Sequence, residues 1–173
     1  MPEWPDKVSE VIADSKIREA RDADMISVYM MGYDAWGDGN PPPMYLEQCA
    51  ASTKYKKGRW YVLADNRDNA VSSLLVHKLA DTVAGIGSIA TPPELRNRGL
   101  ATRLILDVLE SLNQTGVEIV YLFSDISPEF YGRLGFTSLP KEFQRYQEST
   151  CMVWGRPVAE VTRTPGYSAP TYF

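Results

Sequence analysis

Arg96, Asn97, Arg98 and Gly99 stand between the segment TPPEL and the leucine-rich run LATRLI. Two guanidinium groups, a side-chain amide and a residue without Cβ at the mouth of a helix suit one kind of chemistry, the holding of an anion. The first backbone N–H groups of a helix have no intrahelical carbonyl to bind. With the helix dipole they favour a negative charge there by roughly 0.3–1 kcal/mol when exposed. Gly99 removes the side chain that would keep a phosphate at a distance, and Arg96 and Arg98 add charge-assisted donors. A strand delivering into the turn makes this a cradle for a diphosphate with a groove beside it. The same four residues would also serve as an ordinary solvated turn. Neither G-x-x-x-x-G-K-[ST] nor G-x-G-x-x-G occurs, so the familiar phosphate motifs do not choose between the two.

The elements that must carry such a turn follow from periodicity. SKIREA (15–20) reads as a first strand. Arg21–Asp24 then opens a helix with Met25, Val28, Tyr29, Gly32 and Tyr33 at three- and four-residue spacing, acids in its first turn. Residues 37–43 form a glycine–proline loop, and a second helix runs from Met44 to about Lys56, ended by Gly58. Three β-rich runs, 59–65, 70–79 and 83–91, are separated by tight turns and read as an antiparallel meander. Helix Gly99–Leu112 repeats leucine or valine every four residues, and 117–123 is an apolar strand suited to burial on both faces. Ser127-Pro128 starts a short helix that ends at Gly135, and 136–139 and 147–154 are closing strands.

The resulting order is β-α-α-β-β-β-α-β-α-β-β, an α/β fold with a mixed, mostly antiparallel central sheet flanked by helices. The sheet is parallel where strand 83–91 crosses over helix 99–112 to strand 117–123. Residues 1–14 form an N-terminal extension with a short helix over Asp6–Ala13, and 15–154 a single domain. The tail 155–173, rich in proline, glycine and threonine, wraps the surface or is loose.

Composition bounds the function. The 173 residues suffice for a real core. A formal charge of −4, from 18 basic and 22 acidic residues, argues against a nucleic-acid surface. No segment approaches the length of an apolar membrane span, and the N-terminus lacks an apolar leader core. Two distant cysteines, Cys49 and Cys151, suggest neither disulfide nor metal and fit a cytoplasmic protein. His77, the single histidine, has no nucleophile near it in the sequence.

A second stretch, LFSDISPEFYGRLGF (122–136), gives the turn a context. Together the two resemble the GCN5-related N-acetyltransferase (GNAT) superfamily. Its cofactor signature R/Q-x-x-G-x-G/A is matched by Arg96, Gly99 and Ala101. Its later signature is matched by Phe130-Tyr131 and Leu134-Gly135-Phe136. The agreement extends over roughly residues 15–154. The stretches TPPELRNRGLA, SDISPEFYGRLGF and DAWG are also similar to the fungal lysine N6-acetyltransferases of lysine catabolism, which are longer proteins.

The resemblance implies acetyl-CoA as co-substrate, no metal, and acetyl transfer to a primary amine by direct attack in a ternary complex. The amine would belong to lysine or a related small molecule, or to a peptide lysine or N-terminus. It implies that the backbone of Ile89, Ala90 and Thr91 pairs with the pantetheine arm. The amides of Arg96, Asn97, Arg98, Gly99, Leu100, Ala101 and Thr102 would hold the diphosphate, and Tyr131 would sit near the thioester sulfur. Where many members carry asparagine, seven residues before the tyrosine, this chain has Ser124. Serine loses a two-pronged contact, which keeps open a non-catalytic acetyl-CoA-binding sensor. Asp125 ranks first as general base, ahead of Asp34, Asp38 and Glu47. Tyr33, Asp34, Trp36 and Glu47 are candidates for the acceptor side, where aromatics and acids attract a cationic amine. No membrane or nucleic-acid partner is expected, and a homodimer is left open.

Overall fold

In a computed structural model, residues 12–173 are described; most of the helix expected over Asp6–Ala13 lies outside them. The first strand, β1, spans Lys16–Glu19. A single 3-10 turn over Asp22–Asp24 leads into helix α1, Met25–Met30, followed by the one-turn helix α2, Tyr33–Trp36. The helix expected to continue past Met31 is therefore broken at Met31–Gly32. The second expected helix is also two: α3, Pro42–Ala51, and α4, Thr53–Lys57. Ser52 causes that break. Its backbone turns extended and its Oγ accepts a hydrogen bond from Tyr55 N at 3.3 Å, a cap that starts a new helix.

The meander follows as β2 (Arg59–Ala64), β3 (Ala70–Ala80) and β4 (Val83–Ala90). Helix α5 occupies Leu100–Gln114 and strand β5 Ile119–Ser124. Ser127 accepts from Glu129 N at 3.4 Å and opens α6, Pro128–Gly132. Strands β6 (Thr137–Ser138) and β7 (Thr150–Trp154) close the sheet, and a helix not foreseen from sequence, α7, spans Val158–Thr162. The seven strands are ordered β1-β2-β3-β4-β5-β7-β6. β1 and β2, β2 and β3, β5 and β7, and β6 and β7 pair antiparallel, and β4 and β5 pair parallel. The mixed, mostly antiparallel sheet is thus present.

The chain divides into two compact units, one taking residues up to Val76 with Ser88–Val108, the other His77–Gly87 with Leu109–Phe173. In the first, Val28 of α1, Trp60 and Val62 of β2 and Leu75 of β3 form a buried cluster, with Tyr29 and Tyr55 packed against it. In the second, Tyr121 of β5, Cys151 and Val153 of β7, Leu139, Val161 of α7 and Ala169 do the same. Ala169, Tyr167 and Phe173 belong to the tail, so the tail is neither loose nor merely wrapped: it completes this unit's core. Among the described residues no helix is long and apolar enough to cross a membrane.

Candidate functional site

The parallel ladder that leads to the Arg96–Gly99 turn is short. It joins Val83, Ala84 and Gly85 to Ile119, Val120 and Tyr121, although β4 runs on to Ala90 and β5 to Ser124. Within β4, Ser88 takes φ +48°. A serine in the left-handed region inside a strand is strained by about 1–3 kcal/mol and persists only where its surroundings hold it. The Ser88 side chain is hydrogen-bonded to Tyr55. Past this kink come Ile89, Ala90 and Thr91. Ser72 of β3 fixes them, its hydroxyl donating to Ala90 O at 3.1 Å and lying 2.9 Å from Thr91 Oγ1. Ser72 was not foreseen as part of the site. The signal was there: two consecutive serines interrupt the otherwise apolar run AVSSLLV, and of these two buried hydroxyls Ser72 finds partners while Ser73 finds none among the described residues.

After the 3-10 turn Pro93–Leu95, Arg96 is extended at φ −67°, Asn97 sits at φ +60° and Gly99 at φ +76°. Residues of alternating φ sign turn successive N–H groups toward one point, which is how a backbone nest holds an anion. Arg103 N reaches Gly99 O at 3.0 Å, so the amides of Leu100, Ala101 and Thr102 precede the intrahelical ladder of α5. Among the described residues, a Cβ added to Gly99 would meet only Ile12 Cδ1, at 3.7 Å. Glycine is therefore favoured at this position by its backbone angle and not by crowding from the described residues.

The two arginines differ. Arg98 is exposed and among the described residues its side chain bonds only Glu94 O, at 3.0 Å. Arg96 turns back into its own unit: Nε donates to Thr91 O at 2.9 Å, Nη1 and Nη2 grip the two Asp34 carboxylate oxygens at 2.7 Å each, and Nη2 reaches Met31 O at 3.4 Å. The Arg96 hydrogen bonds hold the Asp34 carboxyl below its usual range. Two residues expected in different roles, coenzyme and acceptor, are thus paired with each other.

The remaining acceptor-side candidates are on neighbouring helices of the same unit. The Tyr33 hydroxyl donates to Asn40 O at 2.6 Å and its ring lies 5.2 Å from that of Tyr45. Trp36 on α2 is 39% exposed and Glu47 on α3 is exposed.

In the second unit, Ser124 is buried at the end of β5 and donates to Ile126 O at 2.7 Å. Asp125 follows it, exposed. Tyr131 of α6 is buried between rings, 5.0 Å from Phe130 and 6.2 Å from Phe136. Burial first, and the Asp125 charge second, push its phenol up to about 12. Its hydroxyl makes no hydrogen bond to another described residue. Among the described residues it is a protonated donor without a partner.

Residues given no role from sequence are packed. His77 is buried, its ring 5.6 Å from Phe173. Cys151 is buried and its thiol pushed up to about 12, and burial raises the Cys49 thiol as well, so neither is a nucleophile. Among the described residues no three His, Cys, Asp or Glu side chains are grouped to hold a metal.

The family model of an acetyltransferase (GNAT) domain matches residues 16–139. The chain belongs to this family. No curated protein matches it by sequence. Among solved structures, the PaiA N-acetyltransferase from Thermoplasma acidophilum in complex with coenzyme A is similar at 13% identity and TM-score 0.62, covering 82% of this chain and 99% of its own. A spermidine N-acetyltransferase chimera from Vibrio cholerae and hSSAT matches at 16% identity and TM-score 0.62, over 80% and 94%. The N-acetylglutamate synthase from Neisseria gonorrhoeae, complexed with coenzyme A and N-acetyl-glutamate, matches at 16% identity and TM-score 0.61, over 81% of this chain but 34% of that one. At such identities the likeness speaks for the fold. The GNAT-family acyltransferase assignment rests on the family match.

Proposed function

We propose that this GNAT enzyme transfers an acetyl group from acetyl-CoA to a primary amine in the cytoplasm, with residues 15–154 as its catalytic part. The observation that carries the reading is the turn itself: left-handed Asn97 and Gly99 bracket Arg98 ahead of helix amides that have no intrahelical partner. Among the described residues only Ile12 Cδ1 approaches the missing Cβ of Gly99, which leaves room for a phosphate group beside them. The amides from Arg96 to Thr102 would hold the diphosphate, and the backbone of Ile89–Thr91 beyond the Ser88 kink would pair with the pantetheine arm. Bound there, acetyl-CoA supplies the thioester carbonyl for the amine to attack.

The chain's own groups do the rest. A lysine-like amine of pKa near 10.4 is about 3 units from neutrality at pH 7, a penalty of roughly 4 kcal/mol that desolvation and a base offset. Asp125 is assigned as that base, acting through water. Tyr131 donates a hydrogen bond that strengthens as charge grows on sulfur. It does not hand over its proton outright: a phenol at about 12 against a thiol near 8.5 makes full transfer uphill by about 5 kcal/mol. Tyr33 and Trp36 wall the acceptor side and Glu47 attracts its charge.

The test is thiol release from acetyl-CoA against a panel of L-lysine, spermidine, L-glutamate and a lysine-bearing peptide. Turnover with at least one amine is expected. Tight coenzyme binding without turnover on any would make the protein an acetyl-CoA-binding sensor, and absence of coenzyme binding would remove the reading altogether.

A further inference from the structure

We propose that Arg96 is a positioning residue which clasps the acceptor-side helix α2 to the end of β4, leaving the coenzyme's diphosphate to the backbone and Arg98. This rests on the reading of the turn as a diphosphate cradle.

Four of the five donors of Arg96 are already committed. Of five N–H groups, Nε–H is on Thr91 O, one Nη1–H and one Nη2–H are on the two oxygens of Asp34, and the second Nη2–H faces Met31 O. The paired contacts at 2.7 Å are the bidentate fork in which guanidinium meets carboxylate best. Met31 O is the carbonyl at the break between α1 and α2, an acceptor that a continuous helix would have bonded internally. Thr91 is itself anchored by Ser72.

Helix α2 needs such a tie. It is four residues long, and a single turn has no stability of its own. Tyr33 is held by its hydrogen bond to Asn40 O and the Trp36 ring lies over Gly32, but Asp34 and Trp36 are both exposed. Arg98, two residues on, has no carboxylate partner among the described residues and is the arginine left for an anion. The pair is exposed, 39% and 45%, so its worth to global stability is small. Its effect is on where α2 sits.

Arg96→Gln, Asp34→Asn, the double variant, Arg96→Lys and Arg98→Ala are compared by amide hydrogen exchange, by calorimetric titration with coenzyme A, and by kinetics on the best amine of the panel. Exchange over residues 33–37 is expected to be about fivefold faster in Arg96→Gln and Asp34→Asn, no faster in the double variant, and partly restored in Arg96→Lys. Coenzyme A affinity stays within about threefold for all of these but falls about tenfold in Arg98→Ala. The KM for the amine rises in the clasp variants while that for acetyl-CoA holds. Wild-type exchange over 33–37 in Asp34→Asn, or coenzyme affinity lost about tenfold in Arg96→Gln but kept in Asp34→Asn, would overturn the proposal and make Arg96 a phosphate ligand. Wild-type protein that binds no coenzyme A would overturn the cradle instead, with the exchange result still deciding the clasp.

Discussion

Tyr131 shows how one residue's surroundings select its chemistry. Packed between Phe130 and Phe136, with the Asp125 charge beside it, its phenol is pushed up to about 12 and stays protonated wherever an enzyme works. It can donate and cannot act as a base. Tyr131→Phe should lower kcat about tenfold or more while leaving the coenzyme A dissociation constant unchanged; unchanged turnover in steady-state assays would remove Tyr131 from the mechanism. The same shift has a sign for stability. Because the folded phenol ionises at about 12 and the unfolded one near 10, the unfolded chain releases its proton first as pH rises. Tyr131 therefore contributes full stability below about pH 10 and loses it progressively toward pH 12. Denaturant melts across that window should fall less steeply for Tyr131→Phe than for the wild type.

Among elements, the joint between β4 and α5 is where we propose the coenzyme's diphosphate is held. Replacing Gly99 by alanine forces a Cβ onto a backbone at φ +76°, a penalty of about 1–2 kcal/mol. Coenzyme A binding by calorimetry should weaken about tenfold, since the turn must flatten to relieve the strain; wild-type affinity would mean the left-handed turn does not hold the ligand. The turn and the helix start after it were legible, because a polar, glycine-bearing stretch precedes a leucine-rich run with helical spacing. The strands were legible for the same kind of reason, each being a β-rich run bounded by a turn. The breaks at Met31–Gly32 and Ser52 were not, because apolar spacing carries across one irregular residue while a hydrogen bond such as Ser52 Oγ to Tyr55 N is local and tertiary at once. Nor could spacing show that Arg96 would choose Asp34, which lies 62 residues away.

At the scale of the whole molecule, the tail is the part sequence understated. Its Phe173 ring lies over Gly85, where an added Cβ would come within 2.5 Å of Cε2 and Cζ, and the Tyr167 hydroxyl meets that of Tyr121 at 2.8 Å. Proline, glycine and threonine hid two aromatic anchors, Tyr167 within the tail and Phe173 at its last position. Gly85→Ala should displace the ring and cost about 1–3 kcal/mol, read as a lower melting temperature; no change in Tm would mean that the Phe173 ring moves aside at no cost. Each unit thus has its own core, and the residues of the proposed cradle lie wholly within the first. The central claim, that backbone amides at the start of α5 hold the coenzyme's diphosphate, is tested most directly by amide NMR during titration with coenzyme A. The account predicts that the largest shifts fall on Gly99, Leu100, Ala101 and Thr102 and vanish in Gly99→Ala. Saturable binding that leaves those four amides unmoved would contradict it.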